Sequence, residues 1–269
     1  MARLFIFGLG YTAKRIKAAV EELGWQVDAT GSDGNIEFGD GEAVKTALCT
    51  SSHILSSVPP DRASGLDPVL ERYGAVLGTA SFGTGWVGYL SSTGVYGDAK
   101  GAWIDETTAT IAQTGAGRRN ARAQADMTWV ERGASVFRLP GIYGPGRSAL
   151  DRVRDGKARR IDLPGQVFSR VHVDDIVSGV VAAMVQNTPP GAYNLADDLP
   201  ASGNDVTQEA CRLLGIEPPP LETLDKANLS DMARGFYSEN RRVANGKAKR
   251  ALGWRPKYPT YIEGLASLL

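Results

Sequence analysis

Leu4-Phe5-Ile6-Phe7 runs directly into Gly8-Leu9-Gly10-Tyr11-Thr12-Ala13, and the reading of this stretch decides the fold. An unbroken apolar run of strand length that ends on a glycine-rich turn reads as a buried strand handing over to a helix. The turn fits G-x-G-x-x-A. Gly8 lets the chain turn sharply, Gly10 leaves the backbone open to a pyrophosphate, and Ala13 permits close packing of helix on sheet. The helix start then presents free N–H groups and the positive end of its dipole. Gly8, Gly10, Tyr11, Thr12 and Ala13 are therefore candidate dinucleotide contacts. A purely structural turn is the alternative.

Outward from the turn, Ile16, Ala19, Val20 and Leu23 repeat at helical spacing through Thr12–Leu23, and Gly24 stops the helix. Arg3–Gly8, Gln26–Thr30, His53–Val58, Trp86–Ser91 and Ser135–Leu139 have strand length and composition. Strands alternating with helices give β-α-β units, so the expected fold is α/β, a Rossmann-type doubly wound parallel sheet. After Leu139, Gly and Pro clusters punctuate shorter elements, which predicts a smaller C-terminal substrate lobe. The expected boundaries are a dinucleotide-binding domain over 1–145, to which 171–195 returns, and the lobe over 146–269. Arg241–Arg250 reads as one more amphipathic helix.

Composition narrows the function. The 269 residues are 42% hydrophobic and 22% charged, as in soluble globular chains, and no segment offers the roughly 18 apolar residues that span a bilayer. Lys plus Arg and Asp plus Glu each number 30, so no net field draws the chain to nucleic acid. The opening Met-Ala-Arg leaves no room for a signal-peptide core, and a cytoplasmic protein is expected. Cys49 and Cys211 stand far apart without a Cys-x-x-Cys pair, so neither a metal site nor a disulfide framework is expected; both read as buried small hydrophobes.

The choice of nucleotide is made where the second strand ends. A carboxylate there binds the ribose 2′-hydroxyl of NAD. Here the strand runs through Asp28 to Thr30 and leaves Gly31 and Ser32 at the contact point, so the balance leans to NADP with Ser32 toward the 2′-phosphate. Asp40, after a short Ile36–Phe38 strand, either touches the adenine or caps a helix. Ser56 and Ser57, in the third strand run, join the candidate cofactor contacts. His53 and His172 read as structural residues.

Tyr89-Leu90-Ser91-Ser92-Thr93-Gly94-Val95-Tyr96-Gly97 resembles the corresponding strand motif of the NAD(P)-dependent epimerase/dehydratase family, the extended short-chain dehydrogenases. The resemblance continues through Arg138–Arg147, Arg170–Ile176, Tyr193-Asn194-Leu195 and Leu252–Pro256, spanning nearly the whole chain. It implies that Ser92, with Thr93 beside it, hydrogen-bonds the reacting oxygen of a substrate; a polar strand end capping a turn is the alternative. It also implies that Pro140 and Gly141 line the nicotinamide or its ribose, and that such chains dimerise through helices flanking the sheet. Tyr96 and Tyr143 are the remaining hydroxyls near that end and mainly shape the pocket.

The family's Tyr-x-x-x-Lys pair falls on Arg118 and Arg122, a basic replacement that resembles the atypical short-chain dehydrogenases. Arginine does not deprotonate near neutral pH, so it binds an anion or stabilises a developing alkoxide but is no general base. The row continues to Ala125 and Trp129, which turns this face toward protein, although a solvated basic face remains the alternative. The run Arg147, Arg152, Arg154, Lys157, Arg159, Arg160 is either a phosphate-binding patch or an exposed basic helix. The sequence therefore points to an NAD(P)-dependent oxidoreductase or epimerase acting on a polar, nucleotide- or phosphate-linked small molecule. Its rival is a nucleotide-binding sensor or scaffold that has lost catalysis.

Overall fold

A computed structural model describes residues 2–77, 85–113, 118–227, 234–235 and 237–269. The first half runs β1 (Arg3–Phe7), α1 (Tyr11–Glu22), β2 (Gln26–Ala29), α2 (Gly41–Thr50), β3 (His53–Ser56), α3 (Pro68–Leu77) and β4 (Trp86–Ser92). A 3-10 turn over Thr93–Tyr96, the short β5 (Trp103–Ile104) and a second 3-10 turn over Ile111–Gln113 lead to α4 (Arg118–Glu131) and β6 (Ser135–Leu139). Then come β7 (Gly141–Tyr143), α5 (Ala149–Arg154), β8 (Arg160–Ile161), β9 (Arg170–His172), α6 (Val173–Gln186), β10 (Gly191–Asn194), α7 (Gly203–Leu214), β11 (Leu221–Glu222) and β12 (Arg242–Val243). Helices Gly246–Ala251 and Tyr261–Ala266 follow.

The central sheet has the order β10-β6-β4-β3-β1-β2, and every pairing in it is parallel. Alternation along β1 sends Leu4 and Ile6 to a core under α1 and α6, with Ile16, Val20, Ile176 and Val180. Phe5 and Phe7 go to the opposite core, with Val44, Leu48, Tyr73, Tyr89 and Trp129 from α2, α3, β4 and α4. Helices cover both faces, which is why β1 is apolar throughout. The chain leaves β1 toward β2 and then crosses back to β3, so the direction of winding reverses between β1 and β3. A crevice opens beyond the carboxyl ends of strands at such a point, and Gly8 and Ser57 flank it.

A third core joins Tyr143, Leu150, Val153, Val206, Cys211 and Leu265, in the smaller lobe built on α5 and α7. After β9, α6 packs on α1 and β10 pairs with β6, so this part of the chain lies back against the sheet.

Several expectations need correction. The Ile36–Phe38 strand reduces to a single bridge between Thr30 and Ile36, because Phe38 turns in to pack edge-on against Phe7 and Tyr73. Arg241–Arg250 is not one helix: Arg242–Val243 pairs with Trp103–Ile104, burying Val243, and helix starts at Gly246. Cys49 is exposed, since α2 turns Val44, Ala47 and Leu48 inward and Cys49 outward. No helix among the described residues is long and apolar enough to cross a membrane.

Candidate functional site

The turn after β1 is built from close approaches that only glycine allows. Gly8 has φ +83°, and a Cβ there would stand 2.8 Å from Val58 Cγ2. Gly31, at the end of β2, has φ +117°, and its Cβ would lie 2.9 Å from the Leu9 amide nitrogen. Leu9 N donates to Thr30 O at 2.9 Å, Gly8 N donates to Thr30 Oγ1 at 3.2 Å, and Ser57 Oγ donates to Gly8 O. The neighbouring strand ends thus fix the turn. Gly10 differs, because a Cβ there would meet nothing within 4 Å. α1 starts at Gly10 with no side-chain cap. A buried-sided turn, an open Gly10 and an uncapped helix start are what a pyrophosphate needs, so these residues fit a dinucleotide.

At the ribose end, Asp28 is already engaged. Its oxygens accept from Arg3 Nε at 3.1 Å and Asn35 Nδ2 at 2.8 Å. Asp33 pairs with Lys14, and Ser32 lies exposed beside it. Asp40 takes the capping alternative, accepting from Ala43 N at 3.0 Å at the start of α2. Ser56 is fully buried, and its hydroxyl has no hydrogen-bond partner among the described residues. Tyr11, Thr12 and Ala13 form the first turn of α1, with Thr12 and Ala13 buried.

At the other end of the crevice, β4 delivers Ser91 and Ser92 to opposite faces. Ser91 Oγ donates to Asp126 Oδ1 at 2.6 Å, and Arg138 grips the same carboxylate through Nε at 3.0 Å and Nη2 at 2.6 Å. Arg138 Nη1 donates to Tyr96 Oη at 2.9 Å, and that hydroxyl donates to Asn194 Oδ1 at 2.9 Å. Asn194 N donates to Glu106 Oε1 at 2.7 Å. This buried polar chain ties the ends of β4, β6 and β10 to α4. Burial pushes the Tyr96 phenol and the Glu106 carboxyl upward. Asp126, Arg138 and Asn194 are not among the candidate site residues that the sequence points to. The available signal was Arg138 inside the otherwise buried run Ser135–Leu139, because a charge there requires a carboxylate partner.

Ser92 is half-buried, and its Oγ accepts from Gly94 N at 3.1 Å, while Thr93 is buried. Arg122 is half-buried on the α4 row that continues to the buried Ala125 and Trp129, and its charge reaches the Tyr89 hydroxyl. The Arg118 side chain lies outside the described residues. Pro140 is half-buried and Gly141 exposed, with Gly141 N donating to Ser169 O at 3.2 Å. Tyr143 packs in the smaller lobe's core, and its hydroxyl lies so close to Gly264 that a side chain there would collide with it. His172 caps α6 through Nδ1, which accepts from Asp174 N at 3.2 Å, and His53 reaches Ser52 Oγ and Met184 O. In the basic run, Arg154, Lys157 and Arg159 pair with Asp151, Asp155 and Glu222, and Arg160 donates to Pro219 O. No group of His, Cys, Asp and Glu among the described residues is arranged to hold a metal ion.

No protein-family model matches the chain. Among solved structures, a functionally unknown conserved protein from Silicibacter pomeroyi is 41% identical, with TM-score 0.86 and coverage of 100% of this chain and 98% of that one. A dTDP-glucose 4,6-dehydratase from Bacillus anthracis in complex with NAD aligns at 16% identity and TM-score 0.77 over 100% of this chain and 95% of that one. A human epimerase family protein with NADPH aligns at 14% identity and TM-score 0.76 over 99% and 98%. Among curated proteins, the 3-diazoavenalumate denitrifying reductase of a Streptomyces species is 35% identical, but the match spans only 48% of this chain and 45% of the reductase. Protein YeeZ of Escherichia coli K12 is 28% identical over 96% of this chain and 97% of its own. The chain thus belongs to one family with the Silicibacter pomeroyi protein, and its structural neighbours, whose Rossmann-type fold it shares, are members of the NAD(P)-dependent epimerase/dehydratase family.

Proposed function

We propose that the chain binds a nicotinamide dinucleotide along the carboxyl edge of its sheet and acts as an oxidoreductase on a polar small molecule. The observation that carries this reading is the turn itself: Gly8 pressed against Val58, open space beyond Gly10, and an uncapped α1, all at the point where the sheet reverses its winding. When bound, the cofactor supplies hydride chemistry. Ser92 orients the reacting oxygen, and Arg118 and Arg122 hold an anion or the oxyanion that develops on it. With arginines in place of Tyr-x-x-x-Lys the phenol is missing from its usual place, so in a reduction the arginines would stabilise the alkoxide developing on the reacting oxygen, and solvent water would supply the proton that completes the alcohol. The partial likeness to a protein named as a reductase supports the same direction.

NADP is the favoured form, because Asp28 is engaged with Arg3 and Asn35 and Ser32 stands open at the strand end. The replaced catalytic pair also favours a second reading, a nucleotide-binding sensor without turnover. Calorimetric titration of nucleotide-free protein with NADPH and NADH tests the first part, and binding of neither would sink it. Oxidation of bound NADPH by any member of a panel of polar carbonyl compounds separates the enzyme from the sensor. The substrate reading is a small molecule rather than nucleic acid or membrane, and the chain is proposed to act in the cytoplasm, as a homodimer in keeping with the family resemblance.

A further inference from the structure

We infer that Arg147 reaches from the smaller lobe to bind the pyrophosphate of the dinucleotide, with Tyr11 latching its loop over the turn. This rests on the dinucleotide reading above. The loop Gly144–Arg147 closes on itself, Gly144 N donating to Arg147 O at 3.3 Å and Arg147 N to Gly144 O at 2.9 Å. It is tied to the first residue of α1, because Tyr11 Oη donates to Pro145 O at 3.1 Å. A Cβ on Gly144 would stand 2.7 Å from that hydroxyl and 2.6 Å from Val173 Cγ1, so the loop lies flat against Tyr11.

Charge accounting selects Arg147. A pyrophosphate brings two negative charges, and the start of α1 offers only about half a positive charge against them. Lys14 is paired with Asp33, and Arg15 lies 4.0 Å over the Tyr11 ring with Nη1 donating to Tyr11 O at 2.9 Å. Arg154, Lys157, Arg159 and Arg160 are engaged by the partners named above, and the charge of Arg152 acts on Arg170 and Tyr237. Arg147 is exposed, makes no ion pair among the described residues, and stands 5.7 Å from the Tyr11 ring centroid. Tyr11 carries the first N–H of the helix that faces the phosphates. A free guanidinium beside that residue suits a two-point grip on phosphate oxygens. A cofactor held this way also joins the two lobes, since Arg147 belongs to one and Gly10 to the other.

The test titrates the intact chain and its Arg147→Gln and Arg147→Lys variants with NADPH, ADP-ribose and adenosine. Wild-type binding of NADPH establishes the site; failure there removes the dinucleotide reading itself and is seen before any variant is made. Given that binding, Arg147→Gln is expected to weaken NADPH and ADP-ribose alike by about tenfold or more, with a shallower salt dependence, and to leave adenosine unchanged. Arg147→Lys recovers part of the loss. An unchanged NADPH affinity in Arg147→Gln, or an equal loss for adenosine, overturns the inference.

Discussion

Arg138 clasps Asp126 in a bidentate pair whose side chains are 7% and 0% exposed, directly beneath the edge where β4 and β6 end. Ser91 and Tyr96 complete the shell, so the pair's remaining hydrogen-bonding capacity is largely met. Removing one partner leaves a charge stranded in an apolar surround. Asp126→Asn should therefore lower the unfolding free energy by about 3–5 kcal/mol, measured by denaturant melts, whereas the paired exchange Asp126→Leu with Arg138→Met should recover most of it. A loss below about 1 kcal/mol in the single variant would show that the pair is not sealed from water.

The glycines of the turn separate folding from binding. Gly8→Ala places a Cβ against Val58 Cγ2 at a backbone angle that L-residues rarely adopt, and should cost about 1–3 kcal/mol of stability. Gly10→Ala meets open space and a φ of −87°, so its stability should change by less than about 1 kcal/mol. In the proposed complex its methyl would stand in the path of the pyrophosphate. Calorimetry should show at least a tenfold weaker NADPH affinity for Gly10→Ala at nearly unchanged melting temperature; equal affinity would move the cofactor off the turn.

The contrast between what the sequence reveals and what it hides follows from distance along the chain. The β1–α1 unit is legible because apolar run, glycine turn and helix stop are contiguous, and each depends on neighbouring residues. Trp103–Ile104 and Arg242–Val243 pair across the molecule with only two residues each, too few for any periodicity to register. The chain from Ser91 to Asn194 is likewise assembled from separate strands, a helix and a 3-10 turn, and of its members only Arg138, a charge inside a strand run, stands out locally. At Ser92 and Asp40 the sequence carries both a cap and a contact, and each caps a backbone N–H that folding brings within reach.

Ser92 holds the start of the 3-10 turn through its bond from Gly94 N, and also stands at the proposed reacting end of the crevice. These two roles have different magnitudes. Loss of a capping bond in Ser92→Ala should cost about 0.5–2 kcal/mol. Loss of a hydrogen bond to the reacting oxygen should lower turnover about a hundredfold with NADPH affinity intact. If turnover falls no more than cofactor binding does, Ser92 is only a cap.

Burial pushes the carboxyl of Asp197 up to about 7, against the opposing pull of Arg170, and that of Asp175 up to about 6. An unfolded aspartate titrates near about 3.9. Between these values the folded chain keeps protons on these two carboxyls that the unfolded chain has released, so their contribution to stability falls as pH rises from about 4 to about 7 and levels off above that. The slope therefore has the opposite sign to that of a salt-bridged carboxylate. Asp197→Asn removes its share of the titration. Between pH 5 and pH 8, thermal melts should show the wild type losing more stability, or gaining less, than the Asn variant, the difference being the share of Asp197. Parallel pH curves for the two proteins would mean that Asp197 titrates alike in the folded and unfolded chain, and that Arg170 holds it ionised in the fold.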